Sequence, residues 1–378
     1  MNKGIKVLYD YQIFEIQRIG GISRYFSELI KFSPEAELSL KYSDNLYLKD
    51  NYFKKYEILS NDISYNLFLF SLKFKGKGHI YKYYNKMLQK DNQSISINRL
   101  KKSDFNIFHP TYYDTYFLKY LKGKSFVLTV YDMIHELFPQ YFHNFHINKI
   151  TSPNKKELII KSNAIIAISE NTRKDILRFF PELIGKIKVV YLGFPFENIE
   201  DNIKKDNYIL FTGERAYYKN FDAFVQAIAP LLKKYDFKLV CTGRPFTDEE
   251  KILLNNLNIS DRTICTFATE DQLRELYSKA SAFVFPSLYE GFGIPILEAF
   301  ASNCPAVLSN TSSMPEIGGD AALYFDPYSI DDMRRQIERV ITSTALQNDI
   351  IEKGKKRVKQ YSWEKCAKET MEVYNTLL

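Results

Sequence analysis

The sequence predicts an α/β protein built from two parallel-sheet units, and three observations carry that expectation. The chain has 378 residues, more than one hydrophobic core ordinarily organises. In each half, short apolar stretches alternate with helical patterns, the rhythm of parallel strands joined by crossover helices. Between the two series lies a polar, acidic stretch without apolar periodicity, residues 195–207. The expected division is residues 1–196 and 197–361, with a closing helix over 362–378.

In the first unit, strands are expected at 5–9, 105–109, 126–131, 164–169 and 187–191. A helix over 21–31 would turn Tyr25, Leu29 and Ile30 inward. A second helix should follow Ser169, where Ser169-Glu170-Asn171-Thr172 offers capping side chains. In the second unit, strands are expected at 208–212, 238–242, 263–267, 282–285, 306–309 and 323–325. Helices would intervene at 221–233 and 270–280, and Ser362 would cap the last one. Ligands bind beyond the carboxyl ends of strands in open α/β sheets. The loops after Tyr9, Phe108, Val130, Phe211, Val240, Phe267 and Phe285 are therefore where chemistry is expected.

Composition narrows the function. Cys241, Cys265, Cys304 and Cys366 form no CxxC pair, so buried reduced thiols fit better than disulfides or a zinc site. No apolar run reaches membrane-spanning length and the N-terminus lacks a signal-peptide pattern, which predicts a cytoplasmic location. Net charge is +7, and the excess is local: residues 73–102 hold nine Lys/Arg and one acid, interleaved with aromatics. That segment reads as a basic element facing an anionic membrane surface or lipid phosphate, peripheral on its inner face, or as a solvated basic helix. No nucleic-acid motif accompanies it. Also absent are a Gly-x-x-x-x-Gly-Lys-Ser/Thr loop, His-Glu-x-x-His, Gly-x-Ser-x-Gly and Asp-x-Asp.

The most informative stretch runs from Ser287 to Ala299. Glu290 lies in a turn with Gly291 and Gly293, and Glu298 follows after seven intervening residues, in the first turn of a helix expected to start at Pro295. Such a start leaves the N–H groups of Ile296, Leu297 and Glu298 free to face a phosphate. Glycines let a ligand approach the main chain. A carboxylate accepts two hydroxyl hydrogen bonds at once, which suits a sugar diol or a ribose. A second cluster, Gly213-Glu214-Arg215-Ala216-Tyr217-Tyr218-Lys219-Asn220, follows a strand and opens a helix. Two cations there would clamp a diphosphate and stabilise its developing charge. Gly20-Gly21, before a helix, would admit a phosphate or the acceptor close to the backbone.

The run Ala282–Pro327 holds Glu290-x7-Glu298, Ser309-Asn310-Thr311-Ser312-Ser313-Met314-Pro315-Glu316 and Gly319-Asp320-Ala321-Ala322-Leu323-Tyr324-Phe325-Asp326-Pro327. It resembles the donor-site signature of retaining glycosyltransferase family 4, of the GT-B fold. The likeness extends more weakly over nearly the whole chain. It is nearest to the mannosyltransferase-like branch that builds O-antigen and capsule. The resemblance implies two Rossmann-like domains facing a central cleft, the first on the acceptor side and the second binding a nucleotide sugar. The C-terminal helix would cross back to the first.

It implies further that Glu298 holds the ribose. Glu290 and the backbone of Gly291, Phe292, Gly293 and Ile294 would hold the sugar. Gly213, Arg215 and Lys219 would take the diphosphate, opposite Gly20 and Gly21. His109 resembles a strand-end histidine that positions the donor sugar. Thr129-Val130-Tyr131-Asp132 resembles a segment that often reads Thr-x-His-Asp. Tyr131 replaces the histidine and is no base near neutral pH, which leaves Asp132 to orient the acceptor. Arg244 would add a donor contact, and the backbone at Phe267 would meet the nucleobase.

In this family the acceptor attacks from the face of the leaving group, so a donor phosphate oxygen takes its proton. No metal and no cofactor are expected. The implied reaction moves a hexose from a GDP-sugar, GDP-mannose foremost, to a lipid-diphosphate-linked saccharide. UDP-hexoses and UDP-N-acetylhexosamines stay open as donors. Two other classes compete. A nucleotide-sugar epimerase would need no acceptor. A non-catalytic GT-B partner would have no reason to keep Glu290, Glu298, Arg215 and Lys219.

Overall fold

In the computed structural model, residues 4–60, 77–142, 146–195, 203–215 and 217–378 are described. Residues 73–76 of the basic segment, 196–202 of the expected linker and Ala216 lie outside them. Two six-stranded sheets form, both parallel throughout. The first is ordered β2-β1-β3-β4-β5-β6. Its strands are β1 (Val7–Tyr9), β2 (Ala36–Leu38), β3 (Ile107–His109), β4 (Ser125–Val130), β5 (Ala164–Ala167) and β6 (Ile187–Val189). The second is ordered β12-β11-β10-β7-β8-β9. It comprises β7 (Asp206–Phe211), β8 (Lys238–Thr242), β9 (Thr263–Thr266), β10 (Ala280–Phe285), β11 (Ala306–Ser309) and β12 (Ala322–Phe325). Strand order reverses beside β1 in one sheet and between β7 and β10 in the other. Those switch points are where an open α/β sheet leaves a crevice.

Most expected elements form. Tyr25, Leu29 and Ile30 are buried on the helix Gly21–Phe32. Ser169 accepts from Thr172 N–H and opens the helix Glu170–Phe179. Two differences are local. The edge strand β2 was not expected, because Ala36-Glu37-Leu38 is too short to show alternation and forms only by pairing with β1. The helix after Gly293 starts one residue early, at Ile294. Gly293 takes φ 104° before it, and Ile296 N–H is occupied by Gly293 O at 2.9 Å.

The helix Trp363–Asn375 packs on Gly21–Phe32, on the first sheet's side. Tyr374 Oη lies 2.9 Å from Tyr9 Oη. A Cβ on Gly193 would meet Trp363 N at 2.3 Å, so only glycine allows this close crossing. One apolar core runs through the first unit, Trp363 and Tyr374, and on to Phe285, Phe292 and Leu297 in the second. A separate core lies around the helix Phe221–Lys234.

The basic segment forms the helix Lys77–Lys102. It buries Leu88, Asn92, Ser96 and Leu100, one residue per turn, against its own protein, and leaves Lys86, Lys90, Lys101 and Lys102 in solvent. No helix among the described residues is long and apolar enough to cross a membrane.

Candidate active site

A cavity of about 990 Å³ lies between the two sheets at their switch points. The first unit contributes Gly20, Gly21, Arg24, Tyr131 and Asp132, and the second contributes Glu270, Glu290, Gly291, Phe292, Gly293, Ile294 and Glu298. The cavity therefore gathers Gly20, Gly21 and Asp132 with the Glu290–Glu298 element.

The loop carrying Glu290 is pinned from both sides. Thr311 Oγ1 donates to Leu288 O at 3.1 Å, and Glu290 N–H donates to Ser312 Oγ at 2.9 Å. Ser313 Oγ sits 2.9 Å from both Glu290 O and Phe292 O. The hydroxyl run 311–313 is thus the scaffold of the turn. From the first unit, Ser169 Oγ donates to Gly291 O at 2.7 Å. A Cβ on Gly291 would lie 1.9 Å from Tyr131 O, so the two backbones meet as closely as glycine permits.

Glu290 Oε1 lies 2.6 Å from Lys219 Nζ, with both side chains largely buried. Burial alone would lower the Lys219 ammonium, but the Glu290 carboxylate outweighs it and holds the pKa above the usual value. Lys219 is therefore a fixed positive charge beside the cavity. Glu298 Oε2 accepts from Tyr277 Oη at 3.0 Å. Burial raises the Glu298 pKa, and the Tyr277 hydrogen bond offsets part of that. Its other oxygen remains to accept from a ligand hydroxyl.

Arg215 does not join Lys219. Its side chain is fully buried, with Nε 3.1 Å from Glu250 Oε1 and its second amino group on the carbonyls of Arg244 and Pro245. Its guanidinium also lies over the Phe246 ring. Those bonds tie the loop after β7 to the loop after β8, so Arg215, expected to clamp a diphosphate with Lys219, is instead turned into the loops that support the site. Arg244 pairs with Glu250 and Glu214 and does not line the cavity. Gly213 sits at φ 95° in the same supporting turn, against Gly243. Phe267 is 72% exposed and lies outside the cavity, although Ala268 and Thr269 line it.

His109 is likewise corrected from donor positioning to core. Nδ1 lies 2.6 Å from Tyr374 Oη and Nε2 2.9 Å from Thr129 Oγ1, with no exposed surface. Burial pushes its pKa down to about 3, so the ring is neutral. Tyr131 is buried too, its phenol driven well above the ordinary value by burial.

Several site residues carried no sequence signal. Arg24 faces the cavity 3.9 Å from Glu270 and lies over the rings of Tyr47 and Phe194. Lys155 is buried beneath Asp132, 2.7 Å from Glu136 and 3.1 Å from Asp132 O. Glu316 accepts from Glu170 N–H at 2.6 Å and Asn171 N–H at 3.0 Å, capping a first-unit helix from the second unit. Spacing along one chain cannot announce a contact made across 146 residues.

Two parallel six-stranded α/β units facing one cavity are the architecture of the GT-B fold. Residues 195–357 match the family model "Glycosyl transferases group 1". The chain is 27% identical over 268 residues to O-antigen chain mannosyltransferase B of Escherichia coli, covering 66% of this chain and 70% of that one. It is 28% identical over 198 residues to O-antigen chain mannosyltransferase RfbU of Salmonella typhimurium, covering 51% and 56%. This chain thus spans little more than half of the Salmonella protein. The crystal structure of a glycosyltransferase from Rickettsia africae superposes over 100% of this chain and 99% of its own, with TM-score 0.68 at 18% identity, a likeness of fold alone.

Proposed function

We propose that the protein is a retaining, metal-independent hexosyltransferase. It moves mannose or a related hexose from a GDP-sugar to a hydroxyl of a lipid-diphosphate-linked saccharide, in the synthesis of O-antigen or capsule. The observation that carries the reading is Glu290 and Glu298 on one cavity wall, Glu290 paired with Lys219, opposite Gly20, Gly21 and Asp132.

Glu298 holds the ribose through its free oxygen. Glu290 and the backbone of residues 291–294 hold the sugar. Lys219 stabilises charge that grows on the departing diphosphate, an interaction stronger in the transition state than before it. The bond from the anomeric carbon to the diphosphate breaks, and a bond to the acceptor oxygen forms on the same face. The acceptor's proton passes to the leaving phosphate oxygen, and GDP departs. The burial of Tyr131 and the locked, neutral His109 support a step without a protein base. The mannosyltransferase relatives support mannose as the sugar moved.

The helix Lys77–Lys102 leaves Lys86, Lys90, Lys101 and Lys102 in solvent, which supports attraction of the enzyme to anionic lipid at the inner membrane face. The test is a thermal-shift panel of GDP, UDP, dTDP and ADP with their sugars, since bound donor raises the midpoint by mass action. GDP and GDP-mannose should give the largest shift; a larger one with UDP would overturn the donor assignment.

A further inference from the structure

Six aromatic side chains form a band outside the donor cavity, Tyr289, Phe138, Tyr141 and Tyr217 in one run of ring contacts and Phe142 with Tyr218 as a second pair, adjacent in sequence to Tyr141 and Tyr217. Phe138, Tyr141 and Phe142 come from the turn after Ile134–Leu137 in the first unit, and Tyr217, Tyr218 and Tyr289 from the second. Ring centroids lie 5.5 Å apart for Phe138–Tyr289, 6.0 Å for Phe138–Tyr141, 6.3 Å for Tyr141–Tyr217 and 6.0 Å for Phe142–Tyr218. The Tyr141 and Tyr217 planes are 7° from parallel, one on each unit, and Tyr217 is 78% exposed. None of the six lines the donor cavity.

The inner end of the band meets the chemistry. Tyr218 precedes Lys219 and Tyr289 precedes Glu290. Met133 N–H donates to Tyr289 Oη at 3.3 Å, one residue beyond Asp132. From that end the rings lead outward to solvent, spaced by about one pyranose unit.

We propose that this band is the acceptor subsite, and that it grips the saccharide behind the sugar being extended. It rests on the glycosyltransferase reading. A pyranose presents one face of C–H bonds, which packs on an aromatic ring, while its equatorial hydroxyls reach sideways. Four of the six rings are phenols, and while the Tyr289 hydroxyl is held by Met133 and Asp175, those of Tyr141, Tyr217 and Tyr218 can meet those groups, a mixed character that suits a sugar chain better than a bilayer interior. Because each unit supplies half of the band, a bound chain also holds the two units together across the reacting end.

The test is saturation-transfer NMR with mannotetraose and methyl α-mannoside on wild type, Tyr217→Ala, Tyr141→Ala and Tyr217→Phe, with the GDP thermal shift beside it. Wild type and Tyr217→Phe should bind the tetrasaccharide more tightly than the monosaccharide. Both alanine variants should weaken tetrasaccharide binding at least fivefold, leave monosaccharide binding unchanged, and keep the full GDP shift. Unaltered tetrasaccharide binding in the alanine variants overturns the subsite. So does a wild type that binds no tetrasaccharide of mannose, glucose or N-acetylglucosamine. Absence of any nucleotide shift overturns the donor reading instead, and the saccharide arm is read independently of it.

Discussion

Replacing Arg215 by methionine separates a cation that reacts from one that builds. The side chain is fully buried, bonded to Glu250 and to the carbonyls of Arg244 and Pro245. Methionine fills much of the space and supplies none of those donors. Breaking a buried ion pair from one side costs about 3–5 kcal/mol. Glu250 keeps Arg244 at 2.9 Å and Thr247 N–H at 2.8 Å, which places the cost toward the lower end. For a unit of this size that lowers the midpoint by roughly 6–20 °C. Differential scanning calorimetry should show the drop, while GDP affinity at 20 °C stays within about twofold and kcat within about tenfold.

Acid adds a second signature. Burial alone would raise the Glu250 carboxyl, but Thr247 N–H and Arg215 outweigh it and hold its pKa below the ordinary 4.5. A carboxyl depressed in the folded state stabilises above pH 4.5, and its contribution fades as pH falls through the folded value. The variant should flatten that acid limb. An unchanged midpoint together with a hundredfold loss of kcat would refute the structural role and return Arg215 to the diphosphate.

Lys219→Ala removes the cation paired with Glu290 and should lower kcat on the order of a hundredfold or more; a tenfold effect would make it an ordinary buried pair. Glu290→Ala should abolish transfer with the fold retained by circular dichroism, and near-normal turnover would end its sugar-binding role. His109→Gln should leave kcat per folded molecule within about tenfold, consistent with a core residue. Because the folded His109 pKa is depressed to about 3, its contribution is full above pH 6.5 and is lost as pH falls below that, and the variant's denaturant midpoint should be less sensitive to pH over that window. Lys86→Glu with Lys90→Glu should reduce cosedimentation with anionic vesicles in low salt; unchanged binding would remove the membrane attraction from that helix.

The strands and the helix caps were legible because they are local. Ser169 and Ser362 cap where a serine before a helical pattern should, and Tyr25, Leu29 and Ile30 point inward at helical spacing. The Glu290–Glu298 element was legible because its glycines and proline act within a few residues. Arg215 misled because four residues of spacing to Lys219 say nothing of direction. Whether it faces a ligand depends on Glu250, on a helix 35 residues away. His109 misled in the same way, since the partner that locks its Nδ1 is Tyr374 on the last helix.

The long-range contacts share one consequence. Tyr289 Oη donates to Asp175 at 2.7 Å, Glu316 caps the helix Glu170–Phe179, and Ser169 holds Gly291 O. All three anchor one first-unit helix to the loops that flank Glu290. A carboxylate on exposed helical N–H groups gains from both the hydrogen bonds and the helix dipole. Parting the two units would therefore release three anchors at once, two of them on Tyr289 and Gly291, the immediate neighbours of Glu290. Glu290 itself stays bonded within its own unit, to Ser312, Ser313 and Lys219, and the contact between units adds the hold on its two neighbours. Closure of the two units therefore tightens a turn that its own unit already forms, and in the proposed mechanism it bears on Glu290 more directly than on Glu298, whose Tyr277 partner lies in the same unit.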